Sequence, residues 1–492
     1  MSVVDIFDVC IIGSGPAGSF AAKSLADNGK RVLVIESGGN DINADFKSIL
    51  DVDGSDIPGT PGIGFSQQIG GTSNLWAGGL VRLDEIDLVK RKEFEFHGWP
   101  FQMDELNKYY EKVDKYININ PRKTSSDILK DSNIHLKDIN VLRKPFVTTT
   151  LVKNIKNITL LSMSAVVKLN MNVLNNNIES VEVHDKILGD CKKIFAEKFV
   201  LASGALSNIQ LLLNSLKGSK DQMPLLYGNI GKYFSTHPKG DIGILKLFQP
   251  LAYAHPIIAL SEIDDITHWH QLGFSKEFLL KKKLLNHSLR FNSLSHHRAT
   301  KIFGIMQKFI TNISIFKNGK LANLMVKIGI YLFQFIDRIR FLSPNSNQLL
   351  VRAFFDQRSK ASNEVVLSNK ASLIGVPLVK IKYEFNEEDW KEVEDFVCLF
   401  SEELKKLNIG EIEYTRPLND KFNSVHSHFI GGTRMGDSVL DSVVDKNLKV
   451  HGIDNLYISG PSTFPSFGYA NPFYTIAAIS LRLADHLTDS KK

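Results

Sequence analysis

The spacing of apolar and polar residues changes period several times along the chain, and each change predicts an element. Residues 6–12 form a short, mostly apolar run, the pattern of a buried strand. Gly13-Ser14-Gly15-Pro16-Ala17-Gly18 follows at once. Residues 19–28 then place Phe20, Ala21 and Leu25 at helical spacing, and Gly29 closes that helix. Residues 31–35 return to a strand that ends in Glu36. Residues 104–113 read as a helix with an acidic first turn. Residues 158–169 and 178–184 alternate as strands and predict a hairpin across Asn175, Asn176 and Asn177. Residues 199–204 are a second buried strand running into glycine, with a helix predicted over 206–213. Residues 348–355, 364–368 and 378–383 read as strands of one antiparallel sheet. Residues 387–407 read as a helix with the stripe Trp390, Val393, Phe396, Val397, Phe400 and Leu404. Near the C-terminus a short apolar segment, Leu456-Tyr457-Ile458, lies between two glycine clusters.

A chain of 492 residues is too long for one simple core, so two domains are expected. The alternation of buried strands, helices and an antiparallel region predicts an α/β domain of Rossmann type beside an α+β domain. Cys10, Cys191 and Cys398 lie far apart with no C-x-x-C, which excludes a disulfide framework and argues against zinc or iron–sulfur ligation. The net charge of +6 is too mild to suggest nucleic acid. The first residues show no basic stretch followed by an apolar core and a cleavage site. Nor does any apolar run reach the ~20 residues of a membrane span. The expectation is a cytoplasmic protein, with a peripheral position at the inner face of a membrane left open.

That option rests on charge placement. Residues 276–345 hold thirteen Lys or Arg against only Glu277 and Asp337, a local +11 that leaves −5 for the rest of the chain. Within them Leu321, Leu324, Met325, Ile328, Leu332, Phe335, Ile336 and Ile339 recur at helical spacing. Such a stretch suits an anionic membrane surface, an acidic substrate such as a phosphorylated or lipid-linked sugar, or a helix packed on its own domain.

The residues around the glycines carry the chemistry. Gly13, Gly15 and Gly18, set between strand and helix, form a dinucleotide fingerprint: a tight turn, a close approach to pyrophosphate, and close helix packing. Glu36 at the end of the next strand suits a ribose hydroxyl. Two features favour FAD over NAD. One is the second buried strand ending at Gly204. The other is the run Gln68-Ile69-Gly70-Gly71-Thr72-Ser73-Asn74-Leu75-Trp76-Ala77-Gly78-Gly79, whose glycines and hydroxyls can line a ring system at backbone distance. No second G-x-G-x-x-G exists, which disfavours an NAD(P)H-using flavoprotein.

With these pieces the chain resembles the glucose–methanol–choline (GMC) family of FAD-dependent oxidoreductases, closest to its sugar-oxidising branch of pyranose oxidase, fructose dehydrogenase and gluconate dehydrogenase. The resemblance rests on the fingerprint with Glu36, on Gly70 to Trp76, and on Gly98-Trp99-Pro100-Phe101 with Asp104 to Tyr110. It continues through Leu201 to Ala205 with Leu211 to Ser215, and through Gly231 to Pro238. At the C-terminus, His428-Phe429-Ile430-Gly431-Gly432-Thr433-Arg434-Met435-Gly436 pairs with Asn471-Pro472-Phe473-Tyr474-Thr475.

The resemblance implies that His428 is the base and Asn471 its partner in oxidising a hydroxyl of a sugar or sugar-derived alcohol, with hydride transfer to flavin N5. Cofactor contacts are implied at Gly13, Gly15, Gly18, Glu36, Gly71, Thr72, Asn74, Val167, Gly204, Gly460, Pro472 and Thr475. FAD should be non-covalent, because Leu75 stands where some members carry the attaching histidine. Gly460 stands where many members have Asp. His426 shares a face with His428 if that segment is extended, and Arg434 is expected to hold its loop. A dehydrogenase, reoxidised by a quinone or a partner protein, is preferred over an oxidase. The FAD-binding domain is expected from residues 1–83, 151–245 and 425–492, and the substrate domain from 84–150 and 246–424. The remaining alternatives are a membrane-surface enzyme acting on a lipid-linked or phosphorylated glycan, and a non-catalytic flavin-binding scaffold.

Overall fold

The computed structural model describes residues 6–41, 52–57, 66–121, 129–142, 144–172, 174–187, 189–251, 255, 257, 261–263, 266–293, 347–416 and 428–489. His426 and the apolar stretch from Leu321 to Leu342 lie outside them.

Its first sheet is parallel throughout. The strands β1 (Phe7–Ile12), β2 (Val32–Ile35), β3 (Ile158–Leu161) and β4 (Ala196–Leu201) join Leu456–Ile458 in the order Leu456–Ile458, β4, β1, β2, β3. The register aligns Ile12 with Ile35 on one side and with Leu201 on the other, and Leu201 with Ile458. The strand ends are therefore level. Gly13, Glu36, Ala202 and Ser459 all emerge at one edge, where ligands of open α/β sheets bind. The helix α1 (Pro16–Asp27) and the C-terminal helix Phe473–Asp489 pack on each other. Phe20, fully buried, lies 6.3 Å from Phe473, edge to face. Helix Ala205–Leu216 leaves β4 through Gly204.

The predicted hairpin is drawn differently. The apolar run 158–169 is two strands serving two sheets. β3 pairs with β2, whereas Ser164–Asn172 pairs with Asn177–Asp185. The break falls at Met163, whose φ is +55 and whose amide donates to Gly38 O at 3.0 Å; the Ser164 amide donates to Glu36 O. The segment after Glu36 thus captures the backbone between the two strands.

A second, antiparallel sheet contains β5 (Lys239–Leu247), β6 (Ser288–Ser293) and β7 (Gln348–Phe354). Its order is Gly410–Tyr414, β5, β7, β6, Ile266–Phe274, Ile134–Leu142, Gly79–Leu80. Helix Glu387–Lys406 covers one face. Phe396 and Phe400 pack on Phe274 at 4.9 and 5.3 Å, and a capping box of Asn386 and Asp389 starts the helix. The three strands expected in one sheet are divided. Gln348–Phe354 belongs here, but Glu364–Ala371 and Pro377–Lys382 form a separate sheet with Val52–Ser55. Alternation predicted each strand but carries no information about its partner. Among the described residues no helix is long and apolar enough to cross a membrane.

Candidate active site

At the level edge of the parallel sheet the chain leaves β1 through Gly13, whose φ is +104; a Cβ there would lie 2.6 Å from Ala202 O. Gly18 is equally constrained, since its Cβ would meet Gly13 O at 1.9 Å. Gly15 caps α1 without a side-chain acceptor, so the first amides of the helix are left for a ligand. Around Gly15 the nearest atom to a built Cβ is Gly71 Cα at 4.0 Å. The converse approach is tighter. Gly71 has φ +54, and its Cβ would lie 2.8 Å from Gly15 Cα. The loop from Gly70 to Asn74 therefore crosses the helix start at backbone distance.

Side chains fix this crossing. The Glu36 carboxylate accepts from the Ser14 amide at 2.9 Å, the Ser14 hydroxyl at 2.7 Å and the Gly38 amide at 2.8 Å. The Gly70 amide in turn donates to Ser14 Oγ at 3.1 Å. The Asn74 amide ties the loop to itself, donating to Ile69 O and Gly71 O. Ser73 and Thr148 share a hydrogen bond at 3.1 Å beneath it. In this arrangement Glu36 and Asn74 brace the cradle.

The other expected cofactor positions are spread around the same edge. Around Gly204 no atom lies within 4 Å of a built Cβ, and a Cβ on Gly460 would lie 3.6 Å from Ala17 Cβ. Thr72 is half-buried and Leu75 is 49% exposed. Val167 sits at a bulge in its strand, its carbonyl accepting from Asn214 at 3.1 Å. Pro472 precedes the last helix, and Thr475 is buried against Tyr110 OH at 2.7 Å.

The histidine site is built by one bridge between distant segments. The Ser235 amide donates to Ile430 O at 2.8 Å and the Ile430 amide donates back to Ser235 O at 2.9 Å. Two residues further along each segment, His237 and His428 come face to face, Nδ1 to Nδ1 at 3.4 Å. Gly431 permits the bridge, because a Cβ there would strike Tyr233 O at 2.1 Å. Arg434 locks the loop as expected. It donates to Asp441 O at 2.8 Å and Ser359 Oγ at 3.2 Å, and lies over the Tyr233 ring.

Burial pushes His428 down to about 3, and the Lys239 ammonium adds to that shift. His237 is 1% exposed; burial, His428 and Lys239 hold it well below its ordinary value. Both rings are therefore neutral near pH 7, and the short contact requires one to donate. If His428 donates from Nδ1, its Nε2 carries a lone pair and can act as a base. His237 then carries its proton on Nε2, and the Tyr469 backbone favours the protonated ring.

Asn471 stands at the end of a supported loop. Its Nδ2 is 3.2 Å from the position a Cβ would take on Gly79. The loop runs past His237, with Phe467 at 5.9 Å, and rests on a buried polar cluster. Gly468 sits so close to Asp87 that a Cβ would meet Oδ1 at 2.4 Å. Tyr469 OH donates to Asp84 at 3.4 Å. Asn286 donates to both Asp84 and Asp87, at 3.1 and 2.8 Å. Burial, with Asp84 and Asp356 close by, pushes Asp87 up to about 8.

Sequence reasoning singled out His428 and Asn471 but gave no role to His237 or Lys239. His237 was within reach, because Gly231 to Pro238 already stood out as a motif. Lys239 carries no local signal, and Gly79 was legible only as the last glycine of the run from Gln68. Among the described residues no cluster of His, Cys, Asp and Glu suits a metal.

The cradle fits FAD: backbone amides at an uncapped helix start, glycines where a side chain would fill the space, and a second glycine loop laid across them. Comparison with known proteins agrees. Residues 7–48 match the FAD binding domain and residues 359–480 match the GMC oxidoreductase family. The fructose dehydrogenase large subunit of Gluconobacter japonicus is 32% identical over 132 residues, 27% of this chain and 23% of that protein. Paromamine 6'-oxidase of Streptomyces fradiae is 29% identical over 137 residues, 28% of this chain and 25% of that protein. The chain thus spans about a quarter of the length of the curated relatives it matches. Pyridoxine 4-oxidase from Mesorbium loti covers 98% of the chain and 99% of its own at a TM-score of 0.54 and 18% identity. A fungal aryl-alcohol oxidase covers 99% and 100% at a TM-score of 0.57 and 15% identity. These two share the fold.

Proposed function

We propose that this chain, which carries an FAD-binding domain and a GMC oxidoreductase C-terminal domain, oxidises a hydroxyl of a sugar or sugar-derived alcohol. His428 serves as the base and Asn471 as its hydrogen-bonding partner. The observation that carries this reading is the His237–His428 contact, which engages Nδ1 of His428 and so assigns Nε2 to serve as the base. The relatives named as fructose dehydrogenase and paromamine 6'-oxidase support the sugar class.

FAD would be held by Gly13, Gly15, Gly18, Gly71, Gly204 and Gly460, and non-covalently, because Leu75 offers no nucleophile. When bound, the flavin supplies the hydride acceptor. The chain's own work is to manage the proton. An alcohol carbon gives up hydride readily only as its hydroxyl proton leaves, so a base must accept from that hydroxyl at roughly 3 Å. His428 Nε2 does this while Nδ1–H stays on His237, which fixes both tautomer and ring orientation. The Asn471 amide cannot take a proton, but it donates to the oxygen as negative charge grows there. The reading prefers a dehydrogenase, with a quinone or partner protein taking the electrons.

The test is anaerobic. Sugars and polyols are added to purified holoprotein while the flavin band is followed. Bleaching by one class, lost in His428→Ala with flavin still bound, is the expected result. Base catalysis contributes about 10²–10⁴ in rate, so the variant should be slower by that order. Equal rates in wild type and variant would rule out His428 as the base.

A further inference from the structure

The face of the antiparallel sheet opposite its covering helix is strongly cationic near His428. Lys239 on β5 stands opposite Phe354 on β7, and Phe354 lies 6.2 Å from His237. Two residues along, Asp241 stands opposite Arg352, and Arg352 stands opposite Arg290 on β6. Paired residues share a face and alternate residues return to it, so Lys239, Arg352 and Arg290 lie side by side. Arg352 is held by Asp241 in a two-bonded pair, at 2.8 and 3.1 Å. Lys239 has no such partner among the described residues; the charges acting on it are Arg352 and Arg290. A partly buried ammonium with cations for neighbours is costly unless something negative joins it.

We infer that Lys239, backed by Arg290 and Arg352, forms a subsite for an anionic group of the substrate, a carboxylate or a phosphate. The oxidised molecule is then an acidic sugar or polyol: an aldonate, a uronate or a sugar phosphate. This rests on the reading of His428 as the base, and it gives Lys239 a second effect. The same ammonium that lowers the proton affinity of His428 is offset once the anion sits on it, so the base regains affinity for the hydroxyl proton when the right substrate binds. A neutral sugar brings no such change.

The experiment uses holoprotein and matched sets: glucose, gluconate, glucuronate and glucose 6-phosphate. Anaerobic flavin reduction is measured for each, and inorganic phosphate and acetate are titrated separately by calorimetry. The expected result is a KM for an acidic member lower by about tenfold or more than for glucose. That ratio should fall toward one in Lys239→Met, together with the calorimetric signal. Whether the carboxylates or the phosphate ester win identifies the anion. Should Lys239→Met fail to fold, competition by inorganic phosphate in the wild type stands in its place, and its absence overturns the subsite. Equal use of neutral and acidic sugars, with no anion bound, overturns the subsite and leaves the proposed oxidation standing. Anion binding without flavin reduction by any alcohol does the reverse. A Lys239→Met change in flavin reduction potential with anion binding unaltered would assign the lysine to the flavin instead, and also overturns it.

Discussion

At the scale of single residues the site depends on a histidine kept from protonating. His428 is pushed down to about 3, by burial first and by Lys239 second. A base works when unprotonated. The acid limb of kcat/KM for a small neutral sugar should therefore lie near pH 3, with a flat profile between about 5 and 8. An unperturbed histidine would place the limb near 6.5. Anaerobic flavin reduction across pH separates the two, and a limb at 6.5 would mean that the ring is solvated and unassisted. The partner can be tested apart from the base. His237→Phe removes the acceptor for His428 Nδ1–H and should slow reduction by about 10–10²-fold, while His237→Asn, which restores an acceptor, should recover part of the loss. The two side chains proposed to react, His428 and Asn471, were legible because each stands among glycines in a recurrent pattern. His237 was visible as a letter but not as a partner: its contact with His428 is created by the Ser235–Ile430 bridge. Lys239 was not legible at all, since a single lysine on a strand looks like solvated surface until its neighbours across the sheet are known.

At the scale of elements, the cradle depends on two glycine turns touching. Gly71→Ala would drive a Cβ to 2.8 Å from Gly15 Cα at a φ of +54, and neither backbone can yield without moving the helix start. The expected outcome is loss of most bound flavin on purification, read as the ratio of visible to protein absorbance. Gly189→Ala is the control. It has a φ of +76 but no atom within 4 Å, so it carries a left-handed backbone penalty of about 1 kcal/mol and no clash, and should keep its flavin. Equal flavin content in the two variants would mean that the loop gives way. This turn was readable from sequence because strand, glycines, helix and acid occur in order. The run from residue 158 to 169 was not, because its alternation suits a strand anywhere. Only the capture of Met163 and Ser164 by the segment after Glu36 cuts it in two. Chemistry that depends on backbone approach leaves glycines behind as a signature; strand partnership leaves none.

At the scale of the whole molecule, the site lies where the ends of a parallel sheet meet the cationic face of an antiparallel one, and ionisable groups are buried there that would be charged in water. Their pH signature follows from sign alone. His287 and His428 are pushed to about 3, and His237 also lies well below its ordinary value. Between about 3 and 6.5 the unfolded chain binds these protons and the native state does not, so stability falls as pH drops through that window. Asp87 and Asp356 are pushed the other way, to about 8 and about 6. Unfolded, they would release protons near 4, so their stabilising contribution is complete below that pH and is lost as pH rises through about 6 and then 8. Between pH 4 and 6 each of these histidines therefore makes stability rise with pH, and each of the two aspartates makes it fall. His287 isolates the acid side, because it lies outside the reacting pair. Its Nδ1 accepts from the Asp356 amide at 3.0 Å, its Nε2 has no partner among the described residues, and Arg91 adds to the effect of burial. His287→Phe keeps the ring contacts with Phe355 and Phe396 but cannot bind a proton in either state. The dependence of unfolding free energy on pH between 4 and 6 should then decrease by one proton, about 1.4 kcal/mol per pH unit. An unchanged slope would show that His287 titrates alike in the folded and unfolded chain, and that water reaches the cluster on which the Asn471 loop rests.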